Sequence, residues 1–359
     1  MPSNLHCQVL YTIKFTDPYR LLIKTATVKL HVVSMARVTL FSILTLVCLT
    51  CVLRAQDDDV IKVSTDLVSV PVVVTTRDGR YVGDIEAKEF VVFDNGVRQP
   101  LEFFAAVDEP ITLALLIDTS HSTRPVLGDI KNAAKSLIKM LRPEDRGIIV
   151  AFDRDVRVLT EITSDKARLE RAVKDASIPE PIGTVLRDAI YQTVAESLNG
   201  ITGRKAVIVL TDGGDGGSHI SRSNLLLKLQ ETDTLIYPVQ FTTERSRAME
   251  HILRTGKISA RDAAQLSGKY KTKADLKAER AADVLKEVAL VSAGRFLASD
   301  ADRLKDAFTS ILDELRRQYR LGFYPPETDT GNAVHEIKVG VSRRDLIIRC
   351  RSSYRRPSE

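Results

Sequence analysis

Cysteine is scarce in this chain and poorly distributed for a disulfide framework. There are four among 359 residues. Cys7 stands far upstream, Cys48 and Cys51 fall inside one apolar run, and only Cys350 lies beyond it. If that run is removed on export, the rest of the chain holds a single thiol and no internal disulfide. The sequence also has no Gly-Lys-Thr phosphate loop, no His-Glu-x-x-His and no Gly-x-Ser-x-Gly. Those absences remove the common signatures of nucleotide hydrolysis, zinc proteolysis and serine hydrolysis. Charge of one sign is not in excess. The formal net charge of +5 is small for the length and gives no ground for nucleic-acid or membrane binding. Internal repeats and low-complexity segments are absent as well.

What is present is ordinary globular composition, 44% apolar and 28% charged, in a chain long enough for two domains. Near the N-terminus, Met35-Ala36-Arg37 is a short basic start, residues 38–53 are almost unbroken apolar sequence, and Arg54-Ala55-Gln56 supplies a cleavage point. This reads as a signal peptide over 35–55, with 1–34 a non-native upstream extension and translation starting at Met35. An uncleaved anchor is the alternative, although the run is short of the ~20 apolar residues of a spanning helix. Cys51 invites a lipoprotein reading, but Cys48-Leu49-Thr50 fits a lipobox poorly.

Residues 57–108 read as a small β unit. The stretch 67–76 is rich in Val and Thr, and Pro71 within it argues for an edge position or a bulge. Asp78-Gly79 marks a turn, 90–93 a strand, Asn95-Gly96 a hairpin and 101–107 the returning strand. From residue 111 the pattern changes. Apolar runs at 111–117, 147–152, 206–210 and 235–241 alternate with helical segments at 167–176, 185–198, 223–230, 284–291 and 304–318. A further helix shows one apolar face made of Ile130, Ala133, Ala134, Leu137, Ile138 and Leu141. Shorter strands are expected at 156–162 and 295–297. The alternation predicts an α/β domain over 110–319 with a doubly wound, mostly parallel sheet.

Residues 242–280 interrupt this rhythm with a basic stretch, read as a solvated helical insertion or a docking surface for an acidic partner. No aromatic interleaving in it argues for single-stranded nucleic acid. The tail, 320–356, returns to strands at 321–324, 334–341 and 346–351. Neither β piece buries enough surface alone. The simplest arrangement is one β-sandwich built from both, with Val68, Val70, Val72 and Val74 facing Ile337, Val339 and Val341.

Three separated segments carry the chemistry. Asp118-Thr119-Ser120-His121-Ser122 follows the run 111–117, Thr211-Asp212-Gly213 follows 206–210, and Gly183-Thr184 opens a helix. Ligands of open α/β sheets bind beyond the carboxyl ends of strands. Asp118, Asp212, Ser120, Ser122 and Thr184 therefore offer two carboxylates and three hydroxyls to one sheet edge, a set of hard oxygens suited to Mg²⁺, Mn²⁺ or Ca²⁺. Each residue alone also suits a plain structural role. Ser120 or Ser122 can cap a helix, Asp212-Gly213 can be a strand-end turn, and Thr184 can be an N-cap. His121 and Asp215 are candidates for the rim. Asp153, and Asp215 by default, read as exposed loop residues. Asp188 reads as stabilising the first turn of its helix.

The three segments resemble the von Willebrand factor type A domain and its metal-ion-dependent adhesion site, whose pattern is Asp-x-Ser-x-Ser, a distant Thr and a distant Asp. Residues 68–76 with Asp78-Gly79, Asp94-Asn95-Gly96-Val97, and Tyr319-Arg320-Leu321-Gly322-Phe323-Tyr324-Pro325 resemble an exported bacterial group with that domain. The resemblance implies that Ser120 and Ser122 ligate the metal directly, that Thr184 does so in the ligand-ready state, and that Asp118 and Asp212 act directly or through water. It implies no catalytic residue, and a protein partner whose Asp or Glu completes the metal's coordination. The expected location is across the inner membrane: periplasmic, envelope-associated or secreted, touching a membrane only through an uncleaved anchor. Against this stand a metal-dependent phosphohydrolase and a structural scaffold with a vestigial site. The first lacks a second Asp two residues after Asp118 to serve as acid and base.

Overall fold

The computed structural model describes residues 67–106, 109–180, 182–242, 248, 251–252, 255–267, 273–325 and 334–356. The upstream extension, the export signal and Cys51 lie outside the described residues, as does much of the basic stretch. Four strands come first: β1 (Val68–Thr76), β2 (Phe90–Asp94), β3 (Val97–Gln99) and β4 (Phe103–Ala105). The chain then alternates through β5 (Ile111–Asp118), α1 (Leu127–Met140), β6 (Arg146–Phe152), β7 (Val156–Val158), α2 (Lys166–Asp175) and α3 (Leu186–Gln192). It continues with β8 (Arg204–Thr211), α4 (Arg222–Gln230), β9 (Leu235–Thr242), α5 (Ala260–Ser267), α6 (Lys273–Val291), β10 (Leu297–Asp300) and α7 (Leu304–Arg316). Four strands close it: β11 (Tyr319–Phe323), β12 (Val334–Val341), β13 (Leu346–Cys350) and β14 (Ser353–Arg355).

The apolar runs become the middle of a six-stranded sheet ordered β10-β9-β8-β5-β6-β7. All its pairings are parallel except β6 with β7. All eight residues of β5 are buried, as expected of a strand covered on both faces. On one face Ile130, Ala134, Leu137 and Ile138 of α1 pack with Leu169 and Val173 of α2 and Phe308, Ile311 and Leu315 of α7. On the other, Leu186 and Ile190 of α3 pack with Leu225 and Leu229 of α4 and Leu285 and Val288 of α6. The sheet is doubly wound, and its order reverses between β5 and β8.

Several boundaries differ from the sequence reading. The helix expected over 185–198 ends as α and continues as a π-helical turn, Thr193–Ser197. The strand expected over 156–162 keeps only Val156–Val158, because one antiparallel neighbour at a sheet edge holds it. Helix α6 starts at Lys273, so the end of the stretch set aside as an insertion belongs to a helix of the domain.

The first and last strands form two further four-stranded sheets, β13-β1-β11-β4 and β14-β12-β2-β3. β1 pairs antiparallel with β11 over Val68–Val72 and with β13 over Val72–Thr76. It is therefore a central strand, and Pro71 lies in the half where only β11 is paired. A missing N–H costs nothing on that open side. There Arg351 donates to the Ser69 carbonyl at 2.6 Å. Asn95 and Gly96 take φ of 48° and 81° and turn β2 into β3, the left-handed pair that a two-residue hairpin demands. The returning strand is thus β3. The segment expected to return, 101–107, instead supplies β4, which crosses to the other sheet and pairs with β11. Val68, Val70, Val72 and Val74 share one core with Ile337, Phe90, Tyr319 and Phe323.

Arg204, 3% exposed, ties the sandwich to the α/β layer. Its guanidinium donates to the carbonyls of Gln318 at 2.7 Å, Leu315 at 3.1 Å and Ala106 at 3.3 Å. The two points where the chain passes between sandwich and α/β layer are thereby held together.

Candidate metal centre

Asp118 ends β5 and is fully buried. Its Oδ1 accepts from the Ser120 N–H at 2.9 Å, and its Oδ2 accepts from the Thr211 hydroxyl at 2.7 Å. Thr211 ends the neighbouring β8, so parallel pairing of β5 with β8 brings the first and third sequence segments together. The site lies where the strand order reverses, the usual position for a ligand in such sheets. Asp118 and Asp212 repel one another. Burial first, and then the Asp212 charge, push the Asp118 carboxyl from 3.8 up to about 7. Among the described residues no cation pairs with either carboxylate.

Ser120 and Ser122 follow Asp118 closely in the chain, and Thr184 comes near Asp212. Ser120 Oγ lies 3.1 Å from Ser122 Oγ. Ser120 precedes a short 3₁₀ turn, His121–Val126, but its side chain makes no capping bond, so its hydroxyl is not spent on the helix. Thr184 is likewise no N-cap: Val185 holds that position ahead of α3. The Thr184 carbonyl accepts from the Gly216 and Gly217 N–H groups at 3.1 and 3.0 Å. A Cβ placed on Gly214 would meet Asp212 Oδ1 at 3.3 Å and Thr184 Oγ1 at 3.8 Å, so those two oxygens flank one glycine. Gly213 takes φ of 92°, and a Cβ there would meet Ala281 Cβ at 2.7 Å. The third segment thus needs glycine both for its turn and for its approach to α6.

The supporting shell was largely missed by the sequence reading. Asp153 is 3% exposed, contrary to the exposed loop residue expected. It accepts from Thr119 Oγ1 at 2.9 Å and from Arg157 at 2.5 Å, and its carbonyl accepts from the Val185 N–H at 2.7 Å. It therefore joins the first segment to the second. Asp188 does not serve its own helix terminus. It accepts from the backbone of His219 at 2.9 Å and Ile220 at 2.8 Å and pins the loop after β8. Those bonds and the His219 ring draw its carboxyl down, outweighing the opposing effect of burial. Asp215 is engaged by Arg187 at 2.8 Å rather than left free at a rim. His121 is exposed, 3.3 Å from Arg124 and 3.8 Å from Glu180. No sequence signal distinguishes these carboxylates from ordinary loop acids, because their partners come from elements 28–34 residues away.

Among the described residues, no three His, Cys, Asp or Glu side chains gather as a metal cluster. The assembly at the end of β5 is of another composition, with two carboxylates and three hydroxyls. It fits a hard divalent cation, because buried Asp118 and half-buried Asp212 have no counter-charge among the described residues and the nearby hydroxyl oxygens are neutral.

Residues 113–215 match the family profile of the von Willebrand factor type A domain. The chain carries a von Willebrand factor type A domain. The matched span contains all five candidate ligands. The chain is similar to proximal thread matrix protein 1 of the mussel byssus, in a structure with a zinc-occupied MIDAS motif. Identity is 16% over 63% of this chain and 50% of that one, with a TM-score of 0.44. It is also similar to a von Willebrand factor type A structure from Catenulispora acidiphila, at 11% identity, 81% and 72% coverage and a TM-score of 0.43. An aerotolerance-related membrane protein from Bacteroides fragilis matches at 16% identity, 58% and 98% coverage and a TM-score of 0.41. The chain spans about half the length of the mussel structures it matches. No curated protein matches it in sequence. Among the described residues, no helix is long and apolar enough to cross a membrane.

Proposed function

We propose that this chain is an exported, non-catalytic binding module that grips an acidic group of a protein partner through a divalent cation, with Mg²⁺ as the principal candidate. The observation that carries the reading is the pair Asp118 and Asp212, which no cation compensates among the described residues, with Ser120, Ser122 and Thr184 close by. A fully buried carboxylate beside a second, half-buried one is costly to ionise, and a divalent ion offsets that cost. Neutral hydroxyls leave much of the ion's charge unspent, so the bound ion supplies an electrophilic centre for an incoming carboxylate. The chain's own residues do the holding. Thr211 and the Ser120 N–H fix the Asp118 carboxylate. Asp153 and the loop glycines set Thr184 beside Asp212.

Calorimetric titration of the purified chain with Mg²⁺, Mn²⁺ and Ca²⁺ tests the reading. Asp118→Ala is expected to abolish binding and leave the circular dichroism spectrum unchanged, whereas unaltered affinity in that variant refutes the site. Mg²⁺-dependent turnover of a generic phosphatase substrate overturns the non-catalytic assignment. Capture of a protein from envelope extract, lost with chelator, identifies the partner.

A further inference from the structure

A cavity of about 280 Å³ opens beside the candidate metal centre, between α3, α4 and α6. Its floor is apolar: Leu186, Ile190, Leu225, Leu285 and Val288 line it, and all five are buried. Its mouth is built from the loops of the metal centre. Gly213 and Asp215, within three residues of Asp212, and Arg187, three residues after Thr184, line it there. Three guanidiniums stand at the cavity. Arg187 is occupied by Asp215 at 2.8 Å and Arg222 by Glu287 at 2.5 Å. Arg280, exposed on α6, has no carboxylate partner among the described residues.

The volume falls below the usual ~300–1,000 Å³ of a site for a drug-sized molecule. It suits one large side chain. The charges around it select the company of that side chain: Arg280, which has no carboxylate partner among the described residues, on one side and, on the reading proposed above, a carboxylate-seeking cation on the other.

We infer that the cavity between α3, α4 and α6 is a specificity pocket that takes a large aliphatic or aromatic side chain from the same partner segment whose Asp or Glu sits at the metal centre. The inference rests on the metal-centre reading. The two anchors belong to one short segment, because the cavity is lined by Gly213, next to Asp212, and by Leu186, two residues after Thr184. An acid alone gives a weak and unselective contact. An apolar anchor in a pocket is the usual source of affinity at an interface.

The test uses the full chain and a set of synthetic peptides. Each peptide carries one Asp in a Gly/Ser background and one variable residue (Ala, Leu, Phe or Lys) at each position up to four before or after it. Fluorescence polarisation is read in Mg²⁺ and in EDTA, with calorimetry of Mg²⁺ alone. At one spacing, Leu or Phe peptides are expected to bind at least tenfold tighter than the Ala peptide, in Mg²⁺ only. Val284→Trp, which fills the cavity from α6, should bring the Leu and Phe peptides to the Ala level and leave Mg²⁺ affinity unchanged. Methyl NMR of the unmodified chain should show Leu285 and Val288 shifting with the Leu peptide and not with the Ala peptide, whatever the fate of the variant. The inference is overturned if Mg²⁺ binds but the peptides do not. It is equally overturned if they bind without apolar preference, or if the preference persists in EDTA or in Val284→Trp. If Mg²⁺ itself does not bind, the metal reading fails first and this inference falls with it.

Discussion

Thr211 at the end of β8 donates its hydroxyl to Asp118 Oδ2 at the end of β5, at 2.7 Å. The same hydroxyl accepts from the Gly213 N–H at 2.9 Å. One side chain therefore fixes both the buried carboxylate and the start of the loop that carries Asp212. Thr211→Val keeps the shape and removes both bonds. Mg²⁺ affinity is expected to fall roughly tenfold to a hundredfold, as when an outer partner of a metal ligand is lost. Calorimetry checks it, and unchanged affinity would show that Asp118 needs no such support.

The pH dependence follows from Asp118. Its folded-state pKa is raised from 3.8 to about 7, so the folded chain holds that proton more tightly than the unfolded chain. The stabilisation is complete below the ordinary carboxylate pKa and is lost as pH rises toward about 7. In EDTA, the melting temperature should therefore fall relative to that of Asp118→Asn between pH 5 and pH 8. Saturating Mg²⁺ should reverse the difference at pH 8. Parallel pH profiles of the two proteins in EDTA would contradict the assigned cause.

Gly214 lies between oxygens of two candidate ligands. Gly214→Val drives branched methyls toward Asp212 Oδ1 and Thr184 Oγ1, which already lie 3.3 and 3.8 Å from a Cβ. Mg²⁺ affinity is expected to drop more than tenfold, with a smaller change in the urea midpoint. A neighbouring control, Gly216→Ala, meets nothing within 4 Å and should bind as the parent does.

Glu314 on α7 is 1% exposed and gathers groups from both halves of the structure. Tyr237 of β9 donates to it at 2.7 Å and Tyr81 at 3.3 Å, Arg295 forms an ion pair with it at 3.0 Å, and Arg349 of β13 completes the cluster. The Tyr237 hydroxyl is held well above its ordinary pKa by burial and by this carboxylate. Glu314→Ala leaves two guanidiniums facing one another without their counter-charge. A loss of about 3–5 kcal/mol is expected, the usual result of removing one partner from a buried pair. Urea unfolding followed by near-UV circular dichroism measures it, and a loss under 1 kcal/mol would count against the cluster.

Truncation after Arg320 removes most of β11 and all of β12 and β13. β1 then loses both neighbours and β2 loses its pairing with β12. The amide resonances of 68–94 should collapse to unfolded positions in a ¹⁵N correlation spectrum. Dispersed resonances there would show that the N-terminal strands fold without the tail.

The strands of the α/β layer were legible because burial on both faces leaves an unmistakable apolar run, as in all eight residues of β5. The five candidate ligands were legible because each follows or opens such an element at a fixed place. The split sandwich was legible from two pieces too small to stand alone. Other features depended on partners remote in sequence. Pro71 marks an edge, but only tertiary pairing shows that β1 is central and open just there. The segment 101–107 carries no sign that it joins β11 instead of the hairpin before it. Asp153 and Asp188 look like any loop acid until Thr119 and the His219 backbone close on them. The sequence by itself determined which residues are apolar, which carry oxygen, and at which strand ends they fall. Only the tertiary structure decided that Asp118 is buried near Asp212 with no cation among the described residues, and that a cavity opens beside them, because burial and charge balance depend on every element that packs around a group.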